Sequence, residues 1–316
     1  MERRDFLKAL AGLGGLLVAR PSLAGTLGGL GAATGAARRS KLPSSSGLML
    51  VSTDLHNHSL ISGDALGDPH TALQTIHARG IDVACMTEHA ISGKGHGELT
   101  CPGWEEGGCH KVEGINDPDW AAMADFADAA YAPGEFVSFR GFEYSGATLG
   151  HLNVWFSSKF TDPLHQNAFI TPQAMSELDQ LIPQTQPIAD LFEAAPDTAS
   201  IRPFYNWLAA SPDTRLTEGG SDGVACFNHP NDFGDFEKWT YHAGAAARVT
   251  MFEAFNTNGY DEPDFFWYSE RGRPNAMNAC LNAGWRVGFT GVSDEHSTEY
   301  RQPGAARGGL WVPALT

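Results

Sequence analysis

Short apolar and β-branched runs recur along the chain at Leu48–Thr53, Val83–Thr87, Phe136–Phe142, Leu152–Phe156, Val224–Phe227, Val249–Phe255, Val287–Val292 and Gly309–Val312. Each has the length of a strand, and their nearly unbroken apolar character is that of strands buried on both faces. Between several of them the apolar positions switch to helical spacing. Pro69–Arg79 carries Leu73 and Ile76, and Asp119–Tyr131 sets Trp120, Met123 and Phe126 on one face. Pro172–Leu181, Arg202–Ala210 and Asn275–Ala283 repeat the pattern, the last closed by Gly284 where a C-terminal cap belongs. Alternation of strand and helix predicts an α/β fold with a mainly parallel sheet, rolled into a closed or nearly closed β/α barrel.

One connection breaks the rhythm. The short stretch from Glu143 to His151, with Gly146 and Gly150 inside it, cannot hold a helical crossover and reads as a β-hairpin, which makes Glu143 and His151 neighbours. Two long stretches, Gly93–Asp117 and Lys159–Asp222, read as insertions overhanging one rim, the first as a lid or substrate-binding loop. Phe204, Tyr205 and Trp207 in the second read as helix core rather than a substrate platform.

The first residues follow a different logic. Arg3-Arg4-Asp5-Phe6-Leu7-Lys8 precedes an apolar run, Ala9–Ala19, too short to span a bilayer comfortably, and Ser22-Leu23-Ala24 offers a small-residue cleavage site. Residues 1–24 therefore read as a signal peptide resembling the twin-arginine type, with a buried or anchoring helix as the competing reading. Residues 25–47, rich in Gly, Ala and Ser, read as a linker, and 48–316 as one catalytic domain without stable membrane insertion. The expected location is periplasmic or extracellular. The chain stops just after a strand-like run with no helix to cover it, which leaves room for a continuation of the natural chain.

Charge narrows the partners. Lys and Arg number 21 against 37 Asp and Glu, a formal −16; without residues 1–24 the balance is 17 against 35, or −18. Such a surface repels polyanions, so nucleic acid is not an expected partner, although a small anion can still be drawn into a locally positive site. The five cysteines form no CxxC pair, which argues against a thiolate zinc site; Cys101 and Cys109 flank one loop and could form a disulfide in an oxidising compartment.

Candidate chemistry gathers at the strand ends. Asp54-Leu55-His56-Asn57-His58 ends the first run, and alternate side chains of an extended segment share a face, so both imidazoles can converge on one ion. Asp64 follows in a Gly-bounded loop. His89 ends the second run, Glu143 the third, His151 opens the hairpin return, His229 ends the fifth, and Asp294 and His296 end the seventh. Taken singly, each has an ordinary structural explanation as a loop cap or a solvated carboxylate. Together they are nine metal-capable side chains, six of the chain's twelve histidines among them, all expected on the rim where barrel enzymes place their chemistry.

This order of motifs, from DLHNHSLISGD at residues 54–64 to GVSDEH at 291–296, resembles the polymerase-and-histidinol-phosphatase (PHP) superfamily over roughly residues 49–297. The resemblance implies a distorted seven-stranded β/α barrel, and the run at Gly309–Val312 lies outside that pattern. It implies metal ligands at His56, His58, Asp64, His89, Glu143, His151, His229, Asp294 and His296. Glu88 stands where the family commonly has Asp.

Imidazole and carboxylate ligands without thiolates suit Zn, Mn or Fe. Three such ions against three carboxylates leave a formal charge of about +3, a site that favours phosphate. The expected activity is a metal-dependent phosphoesterase using a metal-activated water on a small phosphorylated substrate. Asp294, His151 and Glu143 are the candidates for catalytic roles, Asp294 or Glu143 as a bridge between two ions. An amidohydrolase-like C–N or ester hydrolase and a non-catalytic metal-binding module are the alternatives. Asp54, Glu88, Glu295 and Glu253 are candidates to orient imidazoles, and Lys94, Arg140, Arg202 and Arg301 to grip substrate.

Overall fold

Most strands are buried on both faces, and side-chain alternation sorts their apolar residues into two layers, one inside the curled sheet and one between the sheet and its helices. A computed structural model of the chain describes residues 47–91, 114–146, 149–163, 200–213, 218–230, 234–257, 276–300 and 306–315. Among them the strands are β1 (Met49–Asp54), β2 (Val83–Met86), β3 (His89–Ala90), β4 (Val137–Gly146), β5 (Gly150–Trp155), β6 (Val224–Phe227), β7 (Val249–Asn256), β8 (Gly288–Val292) and β9 (Gly308–Val312). The helices are α1 (Ala72–Ala78), α2 (Asp117–Ala130), α3 (Arg202–Ala209) and α4 (Ala276–Asn282). The proposed signal peptide, almost all of the linker, the Cys101/Cys109 loop, Lys94, Arg301 and the expected helix Pro172–Leu181 lie outside the described residues.

The sheet runs β8-β7-β6-β5-β4-β2-β1-β9. Pairs β1/β2, β2/β4, β6/β7 and β7/β8 are parallel, as the strand–helix alternation predicts. The hairpin inserts β5 antiparallel between β4 and β6. β2 and β3 both lie beside β4, at Met86↔Arg140 and His89↔Glu143, so they are one strand interrupted at Thr87-Glu88. The seven resulting strands are joined by an eighth, β9, which runs antiparallel to β1 from Met49↔Val312 to Thr53↔Gly308. Its other side closes on β8. A Cβ on Gly291 would lie 2.6 Å from the Arg307 carbonyl oxygen, so the two backbones meet at a contact only glycine permits. The result is a mixed α/β fold around a nearly closed, barrel-like sheet.

Side-chain parity explains the two layers. Val51, Leu55, Val83, Cys85, Val137, Phe139, Trp155, Cys226, Met251 and Leu310 point inward and pack as one cluster. Ala84, Phe142, Tyr144, Leu152, Val154, Ala225, Phe227 and Phe252 point outward against α1–α4, where Leu73, Trp120, Phe204 and Tyr205 cover them. Each fully buried residue of this size contributes roughly 1.5–3 kcal/mol, so the two layers together position the rim. Phe204, Tyr205 and Trp207 are buried core, as the helical spacing predicts.

Helix ends follow local chemistry. The first residues of the expected Pro69–Arg79 helix form a turn instead, because the Asp68 carbonyl and carboxylate take the N–H groups of Ala72 and His70. α2 starts two residues earlier than Asp119, because Asn116 and Asp119 exchange side-chain and backbone hydrogen bonds in a capping box. Between β6 and β7, Phe236–Trp239 turns with φ of 52–61° at all four residues, a left-handed turn that no periodicity announces.

Candidate metal centre

The centre is built on two short segments lying side by side. Beyond β1 the chain runs on through His56-Asn57-His58, and beyond β8 through Asp294-Glu295-His296. A parallel bridge joins Asn57 to Glu295, with His58 N–H donating to the Glu295 carbonyl and Asp294 N–H to the His56 carbonyl, at 2.9 and 3.0 Å. Alternation then sends Asn57 and Glu295 one way and His56, His58, Asp294 and His296 the other. Asp294 adopts φ 51°, a left-handed conformation that Asp tolerates better than most residues.

The other predicted residues arrive from neighbouring strands. On β4, Glu143 shares the inward parity of Val137 and Phe139, so a carboxylate sits directly above the apolar floor. On β5, His151 stands opposite Ser145, one step from Glu143, and its Nδ1 is 3.3 Å from Glu143 Oε1. His89 comes from β3, His229 from the segment after β6, and Asp64 from the turn after Leu60–Ser62. Trp155 closes the floor beneath, its indole N–H donating to the Leu55 carbonyl at 3.1 Å.

All nine predicted side chains therefore meet. His56 Nε2 lies 3.0 Å from His58 Nε2, 3.1 Å from Asp294 Oδ1 and 3.3 Å from Glu143 Oε1. His89 Nδ1 lies 2.8 Å from Glu143 Oε2, and its Nε2 lies 3.1 Å from Asp64 Oδ2, which is 3.7 Å from His296 Nε2. His229 Nε2 reaches Glu143 Oε1 at 3.1 Å. The His58 ring stacks on His89 and His296, with centroids 4.4 and 4.2 Å away. Four sets of three have ligand atoms within 4.8 Å of one another: His58/His89/His296, His56/His229/Asp294, His56/His58/Glu143 and His89/Glu143/His151. Eight of these nine residues are buried; the Asp64 side chain, 37% exposed, marks the open side.

The charges are strongly coupled. Burial alone would raise Glu143 and Asp294, but the surrounding imidazoles, His56 foremost, hold both carboxyls well below their ordinary values. Burial would likewise lower His56 and His89, yet Asp294 and Glu253 for the first, and Asp64 and Glu143 for the second, hold them well above. His58 goes the other way: burial, then His296 and His89, push it down to about 3, and burial brings His151 to about 4. The pocket thus keeps Glu143 and Asp294 ionised, beside two imidazoles, His58 and His151, kept in the neutral form that can ligate an ion.

The supporting polar residues are partly those expected. Glu253, at the end of β7, takes the His56 Nδ1–H at 2.7 Å on one oxygen and the His229 backbone N–H at 2.8 Å on the other. Glu88 acts through Ser62, whose hydroxyl donates to Glu88 at 2.5 Å and lies 2.9 Å from His58 Nδ1. Among the described residues Asp54 and Glu295 have other partners than the imidazoles: Asp54 takes the Ser293 N–H and faces Arg307 at 3.5 Å, and Glu295 takes the N–H and hydroxyl of Ser297. Arg140 lies on the outer layer, donating to the Trp120 carbonyl with its guanidinium over the Trp120 ring, and Arg202 pairs with Glu237. Neither reaches the rim pocket. Ser62, Ser145 (2.7 Å from His89 Nδ1), Asn228 (donating to Glu143 at 2.7 Å) and Asn256 (donating to Asp294 at 3.0 Å) complete the shell. The sequence signal for them was only adjacency to ligand-type residues.

A divalent cation fits this donor set. Glu143 Oε2 and Asp294 Oδ1 are buried and, among the described residues, accept no hydrogen bond, although imidazole nitrogens lie 2.8 and 3.1 Å away. A buried carboxylate oxygen without a donor is costly, and a bound cation would satisfy it.

No family model matches the chain, and no curated protein matches it. Solved structures do. A two-domain protein containing a predicted PHP-like metal-dependent phosphoesterase from Bacteroides vulgatus is 17% identical with a TM-score of 0.44, covering 89% of this chain; this chain spans 65% of its length. An amidohydrolase from Chromobacterium violaceum is 18% identical, TM-score 0.35, over 78% of this chain and 87% of its own. Histidinol phosphate phosphatase from Lactococcus lactis, complexed with zinc, L-histidinol and phosphate, is 14% identical, TM-score 0.33, over 80% and 88%.

Proposed function

We propose that the chain is a metal-dependent phosphoesterase of the PHP superfamily, acting on a small phosphorylated molecule. Two or three divalent ions, Zn, Mn or Fe, would be held by His56, His58, Asp64, His89, Glu143, His151, His229, Asp294 and His296. The observation that carries this reading is the meeting of six imidazoles and three carboxylates from separate strand ends, with two buried carboxylate oxygens lacking donors. When bound, the ions would polarise a phosphoryl oxygen and acidify a water toward neutrality.

The chain's own groups supply orientation and charge. Glu143 is within 3.6 Å of the His56, His58, His89, His151 and His229 rings, which suits it to link two ions. Asp294 Oδ1, 3.1 and 3.3 Å from His56 and His58, suits the same role. His151, whose Nδ1 lies 3.3 Å from Glu143 Oε1, is the third candidate for a catalytic role. A positive centre recessed in a chain of net charge −16 selects small anions over polyanions. Metal-loaded protein is expected to release phosphate from at least one member of a phosphomonoester and phosphodiester panel. Hydrolysis of none would end the phosphoesterase reading.

Export belongs to the same proposal. A reporter fused to residues 1–47 is expected to lose export when Arg3 and Arg4 both become Lys, and unchanged export would reject the twin-arginine reading.

A further inference from the structure

Strand β7 contributes no predicted metal ligand to the centre, yet its end carries a buried carboxylate engaged on both oxygens. Glu253 is 1% exposed, and both its oxygens are committed: Oε1 to His56 Nδ1 at 2.7 Å, and Oε2 to the His229 N–H at 2.8 Å and the Asn256 amide at 3.1 Å. The same Asn256 amide donates to Asp294 Oδ2 at 3.0 Å. One strand end thus holds the three members of a single ion-holding set, His56, His229 and Asp294, which come from three different segments.

We propose that Glu253, backed by Asn256, is a positioning residue that makes the His56/His229/Asp294 set the tightest ion-holding set of the centre. The inference rests on the metal-dependent reading above. Its argument is the kind of partner each ligand has. The carboxylate at Nδ1 requires that nitrogen to carry a proton, so Nε2, 3.1 Å from Asp294 Oδ1 and 3.3 Å from Glu143 Oε1, is the nitrogen whose proton an ion would replace. Asn256 occupies Asp294 Oδ2 and leaves Oδ1 for the ion. In the set on the open side, His58 and His296 have neutral partners, the Ser62 hydroxyl and the Asp294 backbone carbonyl, and His89 Nδ1 sits between the Ser145 hydroxyl at 2.7 Å and Glu143 Oε2 at 2.8 Å, a carboxylate that is itself a ligand candidate rather than a dedicated acceptor. A charged acceptor orients an imidazole and strengthens its donation more than a hydroxyl or a carbonyl does. Asp64, on that open side, is also the most exposed of the ligand candidates.

The position demands a carboxylate rather than any polar side chain. Three donors face Glu253 from two sides, so both oxygens must accept. Glutamine offers one acceptor and one donor, and either orientation sets an N–H against an N–H.

The test is a Co2+ titration of the full chain after chelator stripping, followed by visible absorption, for wild type, Glu253→Gln, Asn256→Ala and Ser62→Ala. The proposal predicts that Glu253→Gln weakens the tightest Co2+ equivalent by about 10- to 100-fold, with a changed absorption band, while weaker equivalents keep their affinity. Asn256→Ala should weaken the same equivalent by less, and Ser62→Ala should spare it. An unchanged tightest equivalent in Glu253→Gln overturns the proposal, as does equal weakening of every equivalent, which would mean general loss of packing. If Glu253→Gln does not fold, Asn256→Ala decides: weakening of the tightest equivalent supports the clamp, and unchanged affinity rejects it. Wild type that takes up no Co2+ would sink the metal reading itself, a failure distinct from Co2+ binding that is indifferent to Glu253.

Discussion

At Asp54 a buried carboxylate depends on one cation. Its Oδ1 takes the Ser293 N–H, and its other oxygen faces Arg307, 3.5 Å away, its cationic partner among the described residues. Replacing Arg307 by Met should leave Asp54 buried and uncompensated, lowering unfolding free energy by about 3 kcal/mol in a denaturant titration. A loss below about 0.5 kcal/mol would show that the pair carries no weight. The same scale shows what could be read from residue types. His and carboxylate residues at strand ends were conspicuous because such residues are rare beside apolar runs. Glu253 was visible as the acid ending β7, but its partners, 197 and 24 positions away in sequence, were not. Ser62, Ser145, Asn228 and Asn256 are neutral residues of kinds found throughout any chain, and only contact distinguishes them. Arg140 and Arg202 illustrate the converse: nearness in sequence to a motif says nothing about which face of a strand or helix the side chain leaves from.

At the scale of elements, strands were legible because burial on both faces makes their sequence almost continuously apolar, and the Glu143–His151 spacing excluded a crossover. The direction of β9 was not legible. β9 is as apolar as a parallel strand, and its antiparallel pairing with β1 is set by where the chain returns rather than by its composition. The left-handed turn at Phe236–Trp239 is equally silent in the sequence, being imposed by packing of Phe236 and Trp239 into the outer layer. Two predictions belong here. Gly291→Ala should strain the closure between β8 and the start of β9, because its Cβ would meet Arg307 backbone atoms at 2.6 and 2.9 Å; a destabilisation of about 1–3 kcal/mol is expected by chemical denaturation, and an unaltered midpoint would contradict the close contact. Asn116→Ala should remove the side-chain half of the α2 capping box and cost about 1 kcal/mol, read the same way, whereas Asn116→Gly should cost only a few tenths.

For the whole molecule, the centre fastens β1, β3, β4, β5, β6 and β8 around one cluster of buried charge. Cations that bind it bind only the folded chain, so they must stabilise the fold, by about 2.7 kcal/mol for each ion present at a hundred times its dissociation constant. Stripping with a chelator is therefore expected to lower Tm and adding Zn2+ or Mn2+ to restore it; an identical Tm in chelator and in metal would contradict tight binding at the cluster. The measurement that reaches the central claim most directly is elemental analysis of the purified protein, wild type beside the double variant His56→Ala/His58→Ala. The account predicts two or three equivalents of divalent transition metal in wild type and the loss of at least one in the variant, with both chains folded by circular dichroism. Folded wild-type protein that neither retains nor takes up metal would contradict it.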